Sequence, residues 1–116
     1  MTFRSYGHKP WGHYLNIFDE SYTKVKEILI KPGEAPSYQY HHKRSEIWVI
    51  VKGTAEIKLD DVVKTYGEGD VIHIPVKSKH QAKNVGDDDL VFIEVQLGEY
   101  FGEDDIVRLE DKYGRV

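Results

Sequence analysis

The sequence predicts an all-β chain folded as a small barrel or sandwich, and three observations carry that prediction. Val and Ile together number 22, against 9 for Ala and Leu; β-branched side chains suit pleated strands and lose rotamer freedom in helices. Turn signals recur at short intervals, at Pro32-Gly33, Lys52-Gly53, Asp60-Asp61, Gly67-Glu68-Gly69, Lys77-Ser78, Gly86 to Asp89, and Gly98. The runs between them are short and either alternate or are continuously apolar, a pattern of sandwiches and barrels rather than of βαβ units.

Taken in order, Val25–Ile30, Glu46–Val51, Ala55–Leu59, Val71–Ile74 and Leu90–Val95 read as strands. Pro32-Gly33 closes the first run and Gly69-Asp70 opens the fourth, Gly supplying a positive φ and Pro a fixed one. Gln39 and His41 lie on an extended segment. No amphipathic helix of ten residues is present, and only a turn or two is expected near Asp104–Leu109. The acidic stretch Glu103–Asp111, which also holds Arg108, reads as a solvated C-terminal extension. Gly86-Asp87-Asp88-Asp89 lacks the ligand spacing and terminal Glu of a calcium loop.

At 116 residues the chain reads as one domain. Sixteen Lys and Arg against 20 Asp and Glu leave a formal charge of −4, which argues against nucleic acid as a partner because phosphate backbones need a basic stripe. Cysteine is absent, so disulfides, thiolate nucleophiles and Cys-based zinc sites are excluded. No apolar run approaches the roughly 20 residues of a bilayer span, and the first residues lack a signal peptide's apolar stretch. No membrane partner and a cytoplasmic location are therefore expected.

Six histidines matter by placement. Gln39 and His41, two apart on an extended segment, share a face; Glu46 begins the next strand, and His80 follows the Pro75 turn. Two imidazoles, a carboxylate and an amide oxygen form a mixed nitrogen and oxygen set for one divalent transition metal per chain, zinc first, with Mn, Fe, Co or Ni suited to the same ligands. His8, His13 and His42 read as ordinary surface or core histidines.

Gly33-x5-Gln39-x-His41-x4-Glu46-x6-Gly53 resembles the first cupin motif, with Gln in place of the usual first His, and Gly69-x5-Pro75-x-Lys77-x2-His80-x3-Asn84 resembles the second. The resemblance narrows further. Lys9-Pro10-Trp11-Gly12-x-Tyr14, Ser37-x-Gln39-x-His41-x2-Arg44-Ser45-Glu46-x-Trp48 with Gly53-Thr54-Ala55, Ile93-Glu94-Val95-Gln96-x-Gly98-x-Tyr100, and Gly102–Asp111 with Tyr113-Gly114-Arg115 are similar to type II mannose-6-phosphate isomerase domains over residues 9–115. The implied fold is a small double-stranded β-helix of jelly-roll type: one domain over 1–116, with a barrel core over about 22–98, an N-terminal strap over 1–21 and an extension over 99–116. In many relatives this domain accompanies a mannose-1-phosphate guanylyltransferase domain, too large for 116 residues, so guanylyl transfer is not expected of them. Two positions depart from the pattern. Ile47 stands where the family usually has His, removing a polar group from the expected site, and Lys77 stands where a Gly is usual.

The resemblance implies interconversion of mannose 6-phosphate and fructose 6-phosphate through a cis-enediol. That chemistry needs a Lewis acid, a base near C2–H and a cationic phosphate anchor. The metal at Gln39, His41, Glu46 and His80 is the expected Lewis acid. Arg44, with Lys77 or Lys79, is the expected anchor, Lys77 reading equally as an exposed solubilising residue. Glu94, on one strand face with Gln96, is a candidate base once desolvation raises its pKa, or a hydrogen-bonded structural carboxylate. His73 is a second candidate base, with a packing role as its alternative. Tyr38, Tyr40 and Trp48 line a sugar pocket or fill the barrel, and Trp11 lies in a segment that straps a partner subunit in an expected homodimer. Another cupin chemistry on the same ligands, or a non-catalytic sugar- or metal-binding module, are the competing readings.

Overall fold

Strict alternation of inward and outward side chains organises the molecule, described in a computed structural model over residues 5–111 and 113–114. The first four residues of the expected strap and the motif residue Arg115 lie outside the described residues. Among the described residues eleven strands run in chain order: β1 (Ser5–Lys9), β2 (Gly12–Asp19), β3 (Thr23–Ile30), β4 (Tyr38–Tyr40), β5 (Arg44–Lys52), β6 (Ala55–Leu59), β7 (Val62–Tyr66), β8 (Val71–Ile74), β9 (His80–Asn84), β10 (Leu90–Gly98) and β11 (Val107–Glu110). They form a six-stranded sheet, β1-β2-β3-β10-β5-β8, and a five-stranded sheet, β11-β4-β9-β6-β7, with every pairing antiparallel. No helix among these residues is long and apolar enough to cross a membrane.

Two turns show how local sequence shapes the sheets. Pro32 and Gly33 occupy the centre of a turn in which Glu34 N–H donates to the Lys31 carbonyl at 3.0 Å, and Gly33 takes the φ of +77° that only Gly adopts without cost. Asp60 and Asp61 join β6 to β7 with φ of 47° and 70°, the mirror-image turn whose twist matches a hairpin and which Asp tolerates better than most residues.

The inward residues are sorted along the barrel. On β5 they run Arg44, Glu46, Trp48, Ile50; on β10, Leu90, Phe92, Glu94, Gln96; on β3, Lys26, Ile28, Ile30. Register aligns these into layers, since Ile28 and Ile50 both lie opposite Phe92, Lys26 and Trp48 opposite Glu94, and Glu46 opposite Gln96. One end of the interior is thus apolar, built from Ile30, Ile50, Ile57, Leu90 and Phe92, each side chain contributing about 1.5–3 kcal/mol by burial. The other end is polar.

Strands β1 and β2 extend the six-stranded sheet, and Trp11, 6% exposed, packs into the hydrophobic core. The C-terminal segment differs from the expected solvated tail. Residues 104–109 form no helical turn. Instead β11 pairs with β4, and Phe101 and Asp105 are buried, because an extended segment here completes the edge of the five-stranded sheet.

Candidate metal centre

The polar end of the barrel gathers His41, which follows β4, Glu46 from β5, and His80, the first residue of β9. Each of the three is buried. One ligand atom from each lies within 4.8 Å of the others. His41 Nε2 stands 3.2 Å from Glu46 Oε2, and His80 Nε2 stands 4.0 Å from Glu46 Oε1. The Glu46 carboxylate is held on both oxygens, accepting from Arg44 Nε and from Trp48 Nε1, each at 2.9 Å. Gln39 lines the same cavity, as does Glu46.

Hydrogen bonding fixes how the two imidazoles face this point. His41 Nδ1 lies 2.7 Å from the Asp105 carbonyl oxygen and His80 Nδ1 lies 2.9 Å from that of Ser78. A carbonyl only accepts, so both Nδ1 atoms carry hydrogen and each Nε2 turns a lone pair inward, the arrangement found in metal-ligating histidines. Arg44 Nη2, a donor only, lies 3.2 Å from His41 Nε2 and agrees with that tautomer. His80 Nε2 is buried and has no hydrogen-bond partner among the described residues. Two imidazole lone pairs and a carboxylate directed at one point, one of them orphaned, fit a divalent transition ion.

The electrostatics follow from the crowding. Burial pushes the Glu46 carboxyl up, but its close neighbours His41, His80 and Arg44 outweigh it and hold the group well below the usual carboxylate range. Burial is also the largest influence on His80 and pushes it down, toward the neutral, ligating form. Desolvation works against the Arg44 charge, yet Glu46, Glu94 and Glu103 raise its pKa further. Glu94 goes the other way: burial first, then the charge of Glu46, push it up to about 7. Gln96 Nε2 donates to Glu94 Oε1.

These groups open onto a cavity of about 140 Å³ whose walls include Trp11, Tyr14, Lys26, Glu94, Glu103 and Arg108. Lys26 forms an ion pair with Glu103 and sits 4.7 Å over the Tyr14 ring. Arg44 Nη1 and Arg108 Nε, on two residues that line it, are buried without a partner among the described residues, polar atoms that a polar ligand would complete.

Residues 1–111 match the family model described as Mannose-6-phosphate isomerase C-terminal. The chain belongs to this family. Over 109 residues it is 47% identical to the mannose-1-phosphate guanylyltransferase ManC of Salmonella typhimurium, a match covering 94% of this chain and 23% of that protein. It is 45% identical to the alginate biosynthesis protein AlgA of Pseudomonas putida, covering 94% and 22%. The chain thus spans about a quarter of the length of the curated relatives it matches. Among solved structures, the capsular polysaccharide assembling protein CapF of Staphylococcus aureus superposes with a TM-score of 0.76 at 26% identity, over 95% of this chain and 35% of that one. An RmlC-like cupin from Shewanella frigidimarina superposes with a TM-score of 0.75 at 19% identity, over 87% of each chain. The fold is the cupin double-stranded β-helix.

Gln39, His41, Arg44, Glu46, His80 and Glu94 all line one cavity. His73 and Lys77 do not join them. His73 is an exposed residue on β8, where Ile72 and Ile74 take the inward positions. Lys77 is exposed, with a φ of 68°, and its N–H donates to the His41 carbonyl at 2.9 Å. A left-handed conformation is one that Gly adopts without steric cost, in keeping with the Gly expected here from the resemblance. Lys79 is paired with Asp61 at 2.8 Å outside the cavity. Ile47 removes nothing from the site, since position 47 faces outward between the inward Glu46 and Trp48. Of the aromatics, Trp48 lines the cavity, while the Tyr38 hydroxyl donates to Asp61 away from it. Sequence reasoning missed Lys26, Glu103, Asp105 and Arg108. Lys26 had a signal: it shares a strand face with Ile28 and Ile30, an unusual place for a solvated lysine. The other three lie in the Gly102–Asp111 stretch that resembles the family, but nothing in it points to the cavity, because the tail's place in the fold comes from its pairing with β4.

Proposed function

We propose that this domain is a metal-dependent isomerase of sugar phosphates that interconverts mannose 6-phosphate and fructose 6-phosphate. The observation that carries the reading is the placement of Glu94, a buried carboxyl pushed up to about 7, in the same cavity as the His41, Glu46 and His80 cluster. A group near neutrality both takes and returns a proton at physiological pH. A divalent metal held by Gln39, His41, Glu46 and His80 would supply Lewis acidity toward the substrate's carbonyl and hydroxyl oxygens.

The protein's own groups then divide the work. The Glu94 carboxylate removes the proton from C2 of the open-chain aldose while O1 gains a proton, forming the cis-enediol. Glu94 returns its proton to C1 as the O2 hydroxyl loses its own, leaving the ketose, so no oxidant or reductant is consumed. Gln96 holds one Glu94 oxygen in place, and Arg44 and Trp48 orient Glu46. The buried walls keep water from competing for the enediol.

The test is a coupled assay with mannose 6-phosphate and added Zn, Mn, Co or Fe, beside metal analysis of wild type and a His41→Ala/His80→Ala double variant. Metal-dependent turnover that a His80→Ala variant lacks, with about one ion per chain lost in the double variant, supports the reading. Turnover no higher than in His80→Ala points to a binding module instead. Stoichiometric metal in the double variant overturns the ligand assignment.

A further inference from the structure

Resting on that reading, we infer that Arg108 is the substrate's phosphate anchor, the role expected from the resemblance for Arg44 with Lys77 or Lys79. Arg44 is held beside the candidate metal ligands through two of its three nitrogens, which leaves only Nη1 unpartnered, at the reacting end of the cavity. Its Nε donates to Glu46 Oε2 at 2.9 Å, its Nη2 lies 3.2 Å from His41 Nε2, and the residue is 5% exposed. The reacting carbons C1 and C2 of a hexose 6-phosphate belong next to these groups and Glu94. The phosphate sits on C6, four carbons beyond C2, and must be met by another cation on the same cavity.

Besides Arg44, that cavity presents Lys9, Lys26 and Arg108. Lys26 is neutralised by Glu103. Lys9 lies with its ammonium 5.8 Å from the Tyr14 ring centroid, a contact at the outer limit of cation–π range. Arg108 differs from both. Among the described residues it has no carboxylate partner, and its Nε is buried with no acceptor. Strand β11 places it directly opposite Gln39 of β4, and cross-strand partners project from the same face, so the guanidinium extends over the cavity from beside the ligand set. A guanidinium offers a planar fork of donors that matches two phosphate oxygens. The tail therefore completes the active site: Asp105 orients a histidine and Arg108, three residues on, receives the charged end of the substrate.

The experiment compares metal-loaded wild type, Arg108→Gln and Arg108→Lys in steady-state turnover of mannose 6-phosphate, and in calorimetric binding of fructose 6-phosphate with fructose as control. Arg108→Gln is expected to raise KM and weaken fructose 6-phosphate binding about 10- to 100-fold, the size of a lost charge-assisted pair, with kcat and metal content within about 3-fold of wild type. Arg108→Lys, which keeps the charge and loses the fork, falls between them and carries the test if the Gln variant does not fold. An unchanged KM and fructose 6-phosphate affinity in these variants, or a fall in kcat at constant KM, overturns the anchor while leaving the isomerase reading intact. Arg108-dependent binding of fructose 6-phosphate without any turnover keeps the anchor and overturns the isomerase.

Discussion

Asp105, 64 residues downstream of His41, accepts the hydrogen of that histidine's Nδ1 on its own carbonyl oxygen at 2.7 Å. Its carboxylate accepts from the His42 and Lys43 amides as well, at 3.0 and 2.9 Å. One buried residue from the tail thus sets the tautomer of a candidate ligand and pins the chain that carries it. Asp105→Ala is expected to lower stability by about 2–3 kcal/mol, the loss of two charge-assisted hydrogen bonds. The carbonyl that accepts from His41 is backbone and survives the change, so metal affinity is expected to fall by less than the roughly 10- to 100-fold of a lost ligand-orienting partner. Urea denaturation and chelator competition measure the two effects, and an unchanged metal affinity would show that the clamp is structural alone.

Glu94 predicts a pH dependence with a definite sign. As the base it must be deprotonated, so kcat/KM for mannose 6-phosphate rises with pH through about 7, and Glu94→Gln abolishes turnover with its ascending limb. The native state also retains a proton that the unfolded chain releases between 4.5 and about 7. This contribution to stability is fully present below 4.5 and is lost as pH rises through the folded pKa. Relative to Glu94→Gln, metal-free wild type is expected to lose about 3 kcal/mol across that window. Denaturation midpoints for the pair that track in parallel from acid to neutral pH would contradict this.

Lys77 holds a left-handed backbone that an L side chain occupies at a cost of about 1–2 kcal/mol, partly offset by glycine's larger unfolded-state entropy. Lys77→Gly is expected to stabilise the protein by about 0.5–1 kcal/mol. The hydrogen bond to the His41 carbonyl comes from the backbone and survives the change. Metal content and KM stay at wild-type values. A rise in KM would return Lys77 to the list of substrate contacts.

Ile47 faces away from the cavity on β5, opposite Val95 and His73. Ile47→His restores the family's usual residue and is expected to leave metal stoichiometry and kcat/KM unchanged, with stability within about 0.5 kcal/mol, the usual range for outward substitutions. A gain in turnover of tenfold or more would mean that position 47 acts on the site from outside it.

Local chemistry determined the fold class and most of the candidate ligand set. Ala55–Leu59 and Val71–Ile74 are strands with the bounds their apolar pattern implied, and the runs around Val25, Glu46 and Leu90 extend only a few residues beyond it. Strands β7, β9 and β11 were not legible, for separate reasons. β7 is an exposed edge, β9 carries His80 and Asn84 inward in place of apolar residues, and β11 is four residues in an acidic stretch. Spacing alone showed that Gln39 pairs with His41 and Glu94 with Gln96 on common faces, since a period of two is written into any strand.

Which face looks inward, and which distant segments meet, belonged to the tertiary structure. The same alternation that groups Ile47 with Val49 places them outside, and it places His73 outside with Val71. Lys26 meets Glu103, and Asp105 meets His41, only because β3 lies beside β10 and β11 lies beside β4. Such contacts span more than 60 residues, and their register is set by packing the whole barrel rather than by any preference within the segments that touch. The sequence by itself therefore determined a cysteine-free β chain with a candidate set of nitrogen and oxygen ligands, and the closed barrel decided how an acidic tail becomes one wall of the cavity.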